Sequence, residues 1–144
     1  MENLTLIGTT AKNGTGNALN NEIRGNDAGN TLNGLAGNDI LIGGLGADTL
    51  SGGEGQDTFV FESSLNGKVD TITDFVVGQD KIKLSATIFS AISADLSNIK
   101  EHLFYDTASG ELSYNSQNSG ADNATPFAIV AGLQNLEGDK FIIG

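Results

Sequence analysis

Cysteine and tryptophan are absent from this 144-residue chain, proline and histidine occur once each, and 7 basic residues face 18 acidic ones. Each shortage excludes something. Without cysteine, no disulfide and no thiolate metal site can form. The lone histidine, His102, has no partner for a histidine cluster and reads as a cap or surface residue rather than a base. With a net charge of −11, the chain lacks the clustered Lys and Arg that nucleic acid and anionic membranes require. It favours cations instead, provided its carboxylates converge. No apolar run approaches the roughly 20 residues of a membrane span, so membrane insertion is not expected. The first residues, Met1 to Leu4, lack a basic region followed by an apolar stretch, so any export address is expected elsewhere. Patterns such as G-x-S-x-G, H-E-x-x-H, the P-loop and the Rossmann turn are missing. The chain reads as a non-enzyme, with no catalytic or organic-cofactor residues.

What is abundant is glycine, 20 residues of it, and glycine repeats in phase. Ile23, Leu32, Leu41, Leu50 and Phe59 fall at intervals of nine. Two residues before each stands Asn or Asp: Asn21, Asn30, Asp39, Asp48, Asp57. Seven before each stands Gly16, Gly25, Gly34, Gly43 or Gly52. Gly37, Gly46 and Gly55 fill the fourth position of the last three copies, and Gly44 and Gly53 the second of the last two. Nine is not a helical period. Six Gly-, Asn- and Asp-rich residues predict a turn, and three with a central apolar side chain a short strand. Such a unit buries nothing alone, so copies must stack. Two units make one coil. Residues 18 apart then superpose, with Ile23, Leu41 and Phe59 forming one apolar column and Leu32 and Leu50 the other.

Stacking also points to a metal. Adjacent strands lie about 4.8 Å apart, and calcium binds oxygen at about 2.4 Å, so an ion between two stacked turns reaches both. Asp39 is expected over Asp57, and Asn30 over Asp48. Without a cation, two carboxylates at that spacing repel by up to ~3 kcal/mol at an effective dielectric near 20. Folding is therefore expected to couple to binding. A flexible Gly/Asn linker does not explain five copies in phase. A metal-free solenoid does not explain three consecutive aspartates with Gly two before each.

These residues resemble the RTX nonapeptide G-G-x-G-x-D-x-U-x, most clearly at 34–42, 43–51 and 52–60, with 16–24 and 25–33 degraded. The following chain is similar to the C-terminal target region of type I secreted RTX proteins, namely DTFVFESS (57–64), VDTITDFVVGQDKIKLSA (69–86), LFYDTASGELSYN (103–115) and FAIVAGLQNLEGDKFIIG (127–144). Serralysin-type proteases, secreted lipases, alginate-epimerase repeat modules and adhesins carry such regions. The resemblance implies that each calcium ion is shared by two turns. The earlier turn gives the carbonyls of positions two and four plus the position-six carboxylate. The later turn gives those of positions one and three plus its own. Carried over, Leu35, Gly37 and Asp39 pair with Gly52, Glu54 and Asp57. Asn26, Ala28 and Asn30 pair with Gly43, Leu45 and Asp48, a weaker site for want of one charge. Asn17, Leu19 and Asn21 pair with Gly34, Ala36 and Asp39, a site with a single carboxylate. Gly44, Gly46 and Asp48, and likewise Gly53, Gly55 and Asp57, serve as earlier turns for loops downstream. There Asp80 is a candidate ligand, and Asp70 and Asp74 are weaker ones, equally readable as turn or surface acids.

The expected fold is all-β: a right-handed parallel β-roll with a β-rich C-terminal cap containing at most a short helix. Its expected parts are a lead-in strand segment (1–15), the roll with its calcium turns (16–85), and a cap carrying a secretion signal (86–144). Ile88, Phe89, Ile92, Leu96 and Ile99 at helical spacing predict a short helix or irregular cap. A hairpin follows around Ser109-Gly110, then a polar loop over 115–123, then strands at 127–131 and 140–143. Tyr105 and Tyr114 fit hairpin packing, with a sugar-contacting surface as the rival reading. The resemblance implies a secreted module that folds on meeting extracellular calcium. Its partners would be calcium, an upstream domain of a larger exoprotein, and the type I secretion apparatus. A polysaccharide-binding module and a structural adhesin segment remain the alternatives.

Overall fold

The computed structural model describes residues 2–117 and 120–144; Met1, and Asn118 and Ser119 of the expected polar loop, lie outside the described residues. The chain winds as a parallel β-solenoid of about four coils. Strands alternate between two sheets: β1 (Glu2–Thr5), β3 (Asn21–Arg24), β5 (Ile40–Ile42), β7 (Thr58–Phe61) and β9 (Lys81–Leu84) in one, β2 (Asn13–Thr15), β4 (Thr31–Ala36), β6 (Thr49–Glu54) and β8 (Asp70–Ile72) in the other. All of these neighbours pair in parallel.

The register realises the nine-residue pattern. Ile23 lies beside Leu41, Leu41 beside Phe59, and Phe59 beside Ile82. In the facing sheet Gly14, Leu32, Leu50 and Ile72 follow one another. Apart from Gly14, every member of both columns is fully buried. Column side chains pack on the apolar residues of the coils beside them, and Ile42, Val60, Phe61 and Leu84 add buried area on β5, β7 and β9. Gly14 takes a core position because there is no room for more: a methyl group there would press on Ile23, Leu32 and Leu4 at 3.1–3.3 Å.

Two features differ from the three-residue strand of the sequence pattern. β4 and β6 span six residues each, because their pairing continues past the strand into the turn, Leu35 opposite Gly53 and Ala36 opposite Glu54. The period also lengthens downstream, to 22 residues between Asp48 and Asp70 and 23 between Asp57 and Asp80. The additional residues swell the turns and leave the strand register intact.

The C-terminal part is built onto the same sheets. β10 (Leu103–Tyr105) and β11 (Glu111–Tyr114) form the expected hairpin, and β11 pairs antiparallel with β12 (Thr125–Val130). β12 then runs parallel to β8, and β13 (Phe141–Ile143) parallel to β9. Residues 87–98 form successive turns rather than a helix, ending in the one-turn α1 (Ile99–His102). Leu96 sits at φ 61°, which a continuing helix cannot accommodate. Phe89, Ile92 and Ile99 are buried nonetheless. Phe89 meets Tyr114 and Phe127 edge-on, each at 5.0 Å, and Phe127 meets Phe61 at 5.2 Å. This aromatic cluster closes the lower end of the solenoid. His102 is buried, with Nδ1 2.8 Å from the Asn115 carbonyl oxygen, a structural cap role. Both tyrosine hydroxyls are used internally, Tyr105 donating to the Val130 carbonyl and Tyr114 accepting the Ala91 N–H.

Candidate metal centre

The turns between strands form two columns, one on each edge of the roll. The first contains Asn21, Asp39, Asp57 and Asp80, the second Asn30, Asp48 and Asp70. All seven side chains are buried, although seven polar groups would ordinarily face water. A hydrogen-bond ladder explains part of this. Oδ1 of Asp39 accepts the backbone N–H of Asn21 at 2.7 Å, Oδ1 of Asp57 that of Asp39 at 2.8 Å, and Oδ1 of Asp80 that of Asp57 at 3.0 Å. In the second column Asp48 accepts from Asn30 at 2.7 Å and Asp70 from Asp48 at 2.9 Å. The stacking of Asp39 on Asp57 and Asn30 on Asp48 expected from the repeat is thus present. Each carboxylate also meets an N–H dipole from the coil above, which offsets some of the repulsion between stacked acids.

The second oxygens are different. Oδ2 of Asp39, Asp48 and Asp57 are buried and have no hydrogen-bond partner. Each points at the first glycine of its own turn: a methyl group on Gly34, Gly43 or Gly52 would overlap it. The same methyl on Gly34 would lie 2.5 Å from the carbonyl oxygen of Gly52. Asp39 Oδ2 and the Gly52 carbonyl therefore converge on one space beside Gly34. Further round the turn, methyl groups on Gly53 and Gly55 would overlap the carbonyls of Leu35 and Gly37. Those on Gly44 and Gly46 would lie 2.7 Å from the carbonyls of Asn26 and Ala28. The carbonyls of positions two and four thus face the coil below, and the glycines there leave the space open. The Glu54 carbonyl accepts the Gly37 N–H at 2.9 Å, and its carboxylate is exposed. Leu45 occupies the matching place one turn earlier, beside Gly44 and Gly46.

Burial governs the ionisation of these acids. It raises Asp57 from 3.8 to about 6, helped by the charges of Asp80, Asp39 and Asp74 and opposed by the Asp39 N–H. Burial likewise lifts Asp70 to about 7, with the nearby Asp48 carboxylate contributing. Asp39, Asp48 and Asp80 are also raised, chiefly by burial. The Asp48 carboxylate opposes ionisation of Asp70, so a proton or a cation between them removes the conflict.

Among the described residues no three His, Cys, Asp or Glu side chains converge. The donor set is instead paired carboxylates plus backbone carbonyls, all hard oxygen, which suits calcium and no soft metal. The turns at 34–39, 43–48 and 52–57 fit such an ion, each having a donorless buried oxygen. Asp80 has none, because its Oδ2 accepts the Val76 N–H at 2.8 Å. Asp74 is employed as well: it accepts the N–H groups of Gly52 and Gly53 and the Ser51 hydroxyl at 2.7–3.0 Å. The sequence pattern did not reveal this role, since Asp74 lies outside the nonapeptide phase and reaches back 21–23 residues.

Comparison with known proteins gives the family and the fold. A family model described as Peptidase M10 serralysin C terminal matches residues 20–139. Among solved structures, the AlgE6R3 subunit of the Azotobacter vinelandii mannuronan C5-epimerase superposes with a TM-score of 0.61 at 28% identity, covering 95% of this chain and 81% of that one. The AlgE6R2 subunit of the same enzyme gives 0.54 at 23% identity, covering 93% and 87%, a likeness of fold. No curated protein sequence matches.

Proposed function

The chain belongs to the serralysin C-terminal family, and we propose that it serves there as a calcium-dependent folding module at the end of a larger exported protein. The observation that carries this reading is the set of three buried carboxylate oxygens without any donor. A buried polar atom costs about 1–3 kcal/mol when unpaired, more when charged, and a fold that buries three of them in phase is built for a cation. Asp39 and Asp57 would hold one ion with the carbonyls of Leu35, Gly37, Gly52 and Glu54. Asp48 and Asp70 would hold a second with those of Gly44 and Gly46. Asp57 and Asp80 would hold a third with those of Gly53 and Gly55. Bound calcium supplies the positive charge that these oxygens lack, at an affinity of roughly 0.1–1 mM in extracellular modules.

In the calcium-poor cell interior the aspartate turns from 34 onward stay open, and the chain passes an export channel of the type I kind without its closed roll. Outside, the turns close, the sheets stack, and the cap is templated on β8 and β9. Residues 139–144 carry the export signal in this reading. In the folded state Phe141 is buried and β13 is paired to β9, so the signal is readable only before folding. Far-ultraviolet circular dichroism tests the folding step: weak structure in chelator and a cooperative gain of β signal with calcium are expected, and identical spectra would sink the proposal. A passenger fused to the chain tests export. Deleting 139–144 should abolish its secretion, and undiminished secretion would remove the signal assignment.

The 28% identity to an epimerase subunit favours a second reading, contact with a polysaccharide. The net charge of −11 opposes an acidic one. Titration with mannuronan and a neutral glycan separates the two readings.

A further inference from the structure

The turns of one roll exist in two forms, and the difference is written in their backbone. In 34–39, 43–48 and 52–57 the second residue has positive φ: Leu35 at 82°, Gly44 at 96°, Gly53 at 98°. So does the fourth: Gly37 at 111°, Gly46 at 109°, Gly55 at 130°. In 16–21 and 25–30 the corresponding residues are Asn17, Leu19, Asn26 and Ala28, and none of them is left-handed. That change rotates the position-two N–H inward. Asn17 N–H donates to Asn21 Oδ1 at 2.9 Å, and Asn26 N–H to Asn30 Oδ1 at 2.8 Å. The oxygen left without a donor in the aspartate turns is satisfied here by the turn itself.

The other half of each amide is also used. Asn30 Nδ2 donates to the Lys12 carbonyl of the coil above at 3.1 Å and to Asn26 Oδ1 at 3.0 Å. Asn21 Nδ2 donates to Asn17 Oδ1 at 3.1 Å. Asn26 Oδ1 accepts the Ala28 N–H, and Asn26 Nδ2 donates to the Thr10 carbonyl at 2.9 Å. The orientation of Asn30 is forced: reversed, its NH2 would face the Asn26 N–H and its oxygen two acceptors. Where an aspartate presents two negative oxygens, these asparagines present a satisfied oxygen and a donor, which Asn30 turns to the coil above and Asn21 to its own turn.

We infer that the turns 16–21 and 25–30 are closed by an amide network that stands in for the cation, so the ion columns begin at Asp39 and Asp48 and the first coils hold together without calcium. This departs from the family's ligand pattern, which assigns an ion to Asn26, Ala28 and Asn30 with Gly43, Leu45 and Asp48. It rests on the calcium reading for the remaining turns only. Two consequences follow. Ion number should track the three donorless oxygens rather than the five repeats. The chain before Thr31 should be a preformed end on which later coils stack, tied down by Asn26 to Thr10 and Asn30 to Lys12.

Equilibrium dialysis with calcium tests the first consequence. The native chain should bind three ions, and Asn30→Ala should leave that number unchanged. The variant Asn26→Gly/Ala28→Gly/Asn30→Asp, which restores the open turn, should gain one. Loss of an ion in Asn30→Ala, or no gain in the triple variant, overturns the inference. Hydrogen exchange of the native chain in chelator tests the second. The Asn17 and Asn26 amides should be protected at least about tenfold more than the Gly44 amide, and equal exchange overturns it. Should no calcium bind at all, the proposed function fails while the exchange experiment still decides this inference.

Discussion

The roll and the cap share two continuous sheets, yet they are stabilised by opposite means. Between residues 31 and 60 each nine-residue unit contributes one column side chain to the interior, and its turns bury acids with unmatched oxygens. The cap instead gathers Phe89, Tyr114 and Phe127 with Phe61 into ring contacts of 5.0–5.2 Å. Its buried polar groups find partners within the chain, as His102 does at Asn115 and Lys140 at Asn135. Ordering nine residues costs more conformational entropy than the one or two apolar side chains buried by each unit return. The cap closes that gap with aromatic area; in the proposed reading the roll leaves it to calcium. Two parts of one fold can thus draw on different sources of stability without changing their shared sheets.

The largest expected effect belongs to the cap. Phe89→Ala removes a fully buried ring that touches two others, so unfolding in saturating calcium should become easier by about 3–5 kcal/mol. Calcium stoichiometry should not change, since no turn acid touches that ring. A denaturant titration alongside dialysis checks both. An altered ion count would show that the two parts are not separable as described.

Asp57→Asn attacks the roll in the opposite sense. It keeps the shape but removes a charge that Asp80, Asp39 and Asp74 oppose. Calcium affinity should weaken about tenfold, roughly 1.4 kcal/mol, while the metal-free protein gains β signal in chelator. A variant that lost affinity and metal-free stability together would contradict the picture of an uncompensated carboxylate.

Acid should do reversibly what that substitution does permanently. Asp57 and Asp70 have folded values near 6 and 7, against 3.8 for the ordinary carboxyl. The folded state therefore binds more protons than the unfolded one across that interval. In chelator, the residual β signal should therefore fall between pH 4 and pH 7. Calcium affinity should rise over the same window, because protons compete for the same oxygens. A β signal flat with pH in chelator would mean that these acids are not strained by burial.

Much of this was legible in the sequence because the roll is periodic. Ile23, Leu41 and Phe59 on one side and Leu32 and Leu50 on the other follow from a spacing of nine, and so does Asp39 above Asp57. What the spacing could not carry was conformation within a turn. Asn30 reads as a weakened aspartate by composition. Only the φ of Asn26 and the direction of its N–H show the turn to be closed. The cap was legible as strands and a hairpin but not as a packing. Ile88 to Ile99 carry helical spacing, yet the left-handed Leu96 breaks the helix and the same side chains are buried from turns. Asp74 escaped because it acts across 21–22 residues on glycine N–H groups, outside any local pattern.

The smallest effect distinguishes the two parts most cleanly, because each contains one leucine in the left-handed region: Leu35 at 82° in the roll and Leu96 at 61° in the cap. Such a backbone costs an L residue about 1–2 kcal/mol, and glycine relieves it at an entropic cost of roughly 0.5–1 kcal/mol. Leu35 is 44% exposed, so little burial is lost and Leu35→Gly should stabilise the calcium-loaded protein by about 0.5 kcal/mol. Leu96 packs partly buried against the core. There the lost side-chain contact outweighs the relief, and Leu96→Gly should destabilise by about 1 kcal/mol. Thermal melts of the two variants in saturating calcium decide the matter: shifts of opposite sign are expected, and shifts of the same sign would mean that exposure does not separate the roll's turns from the cap's.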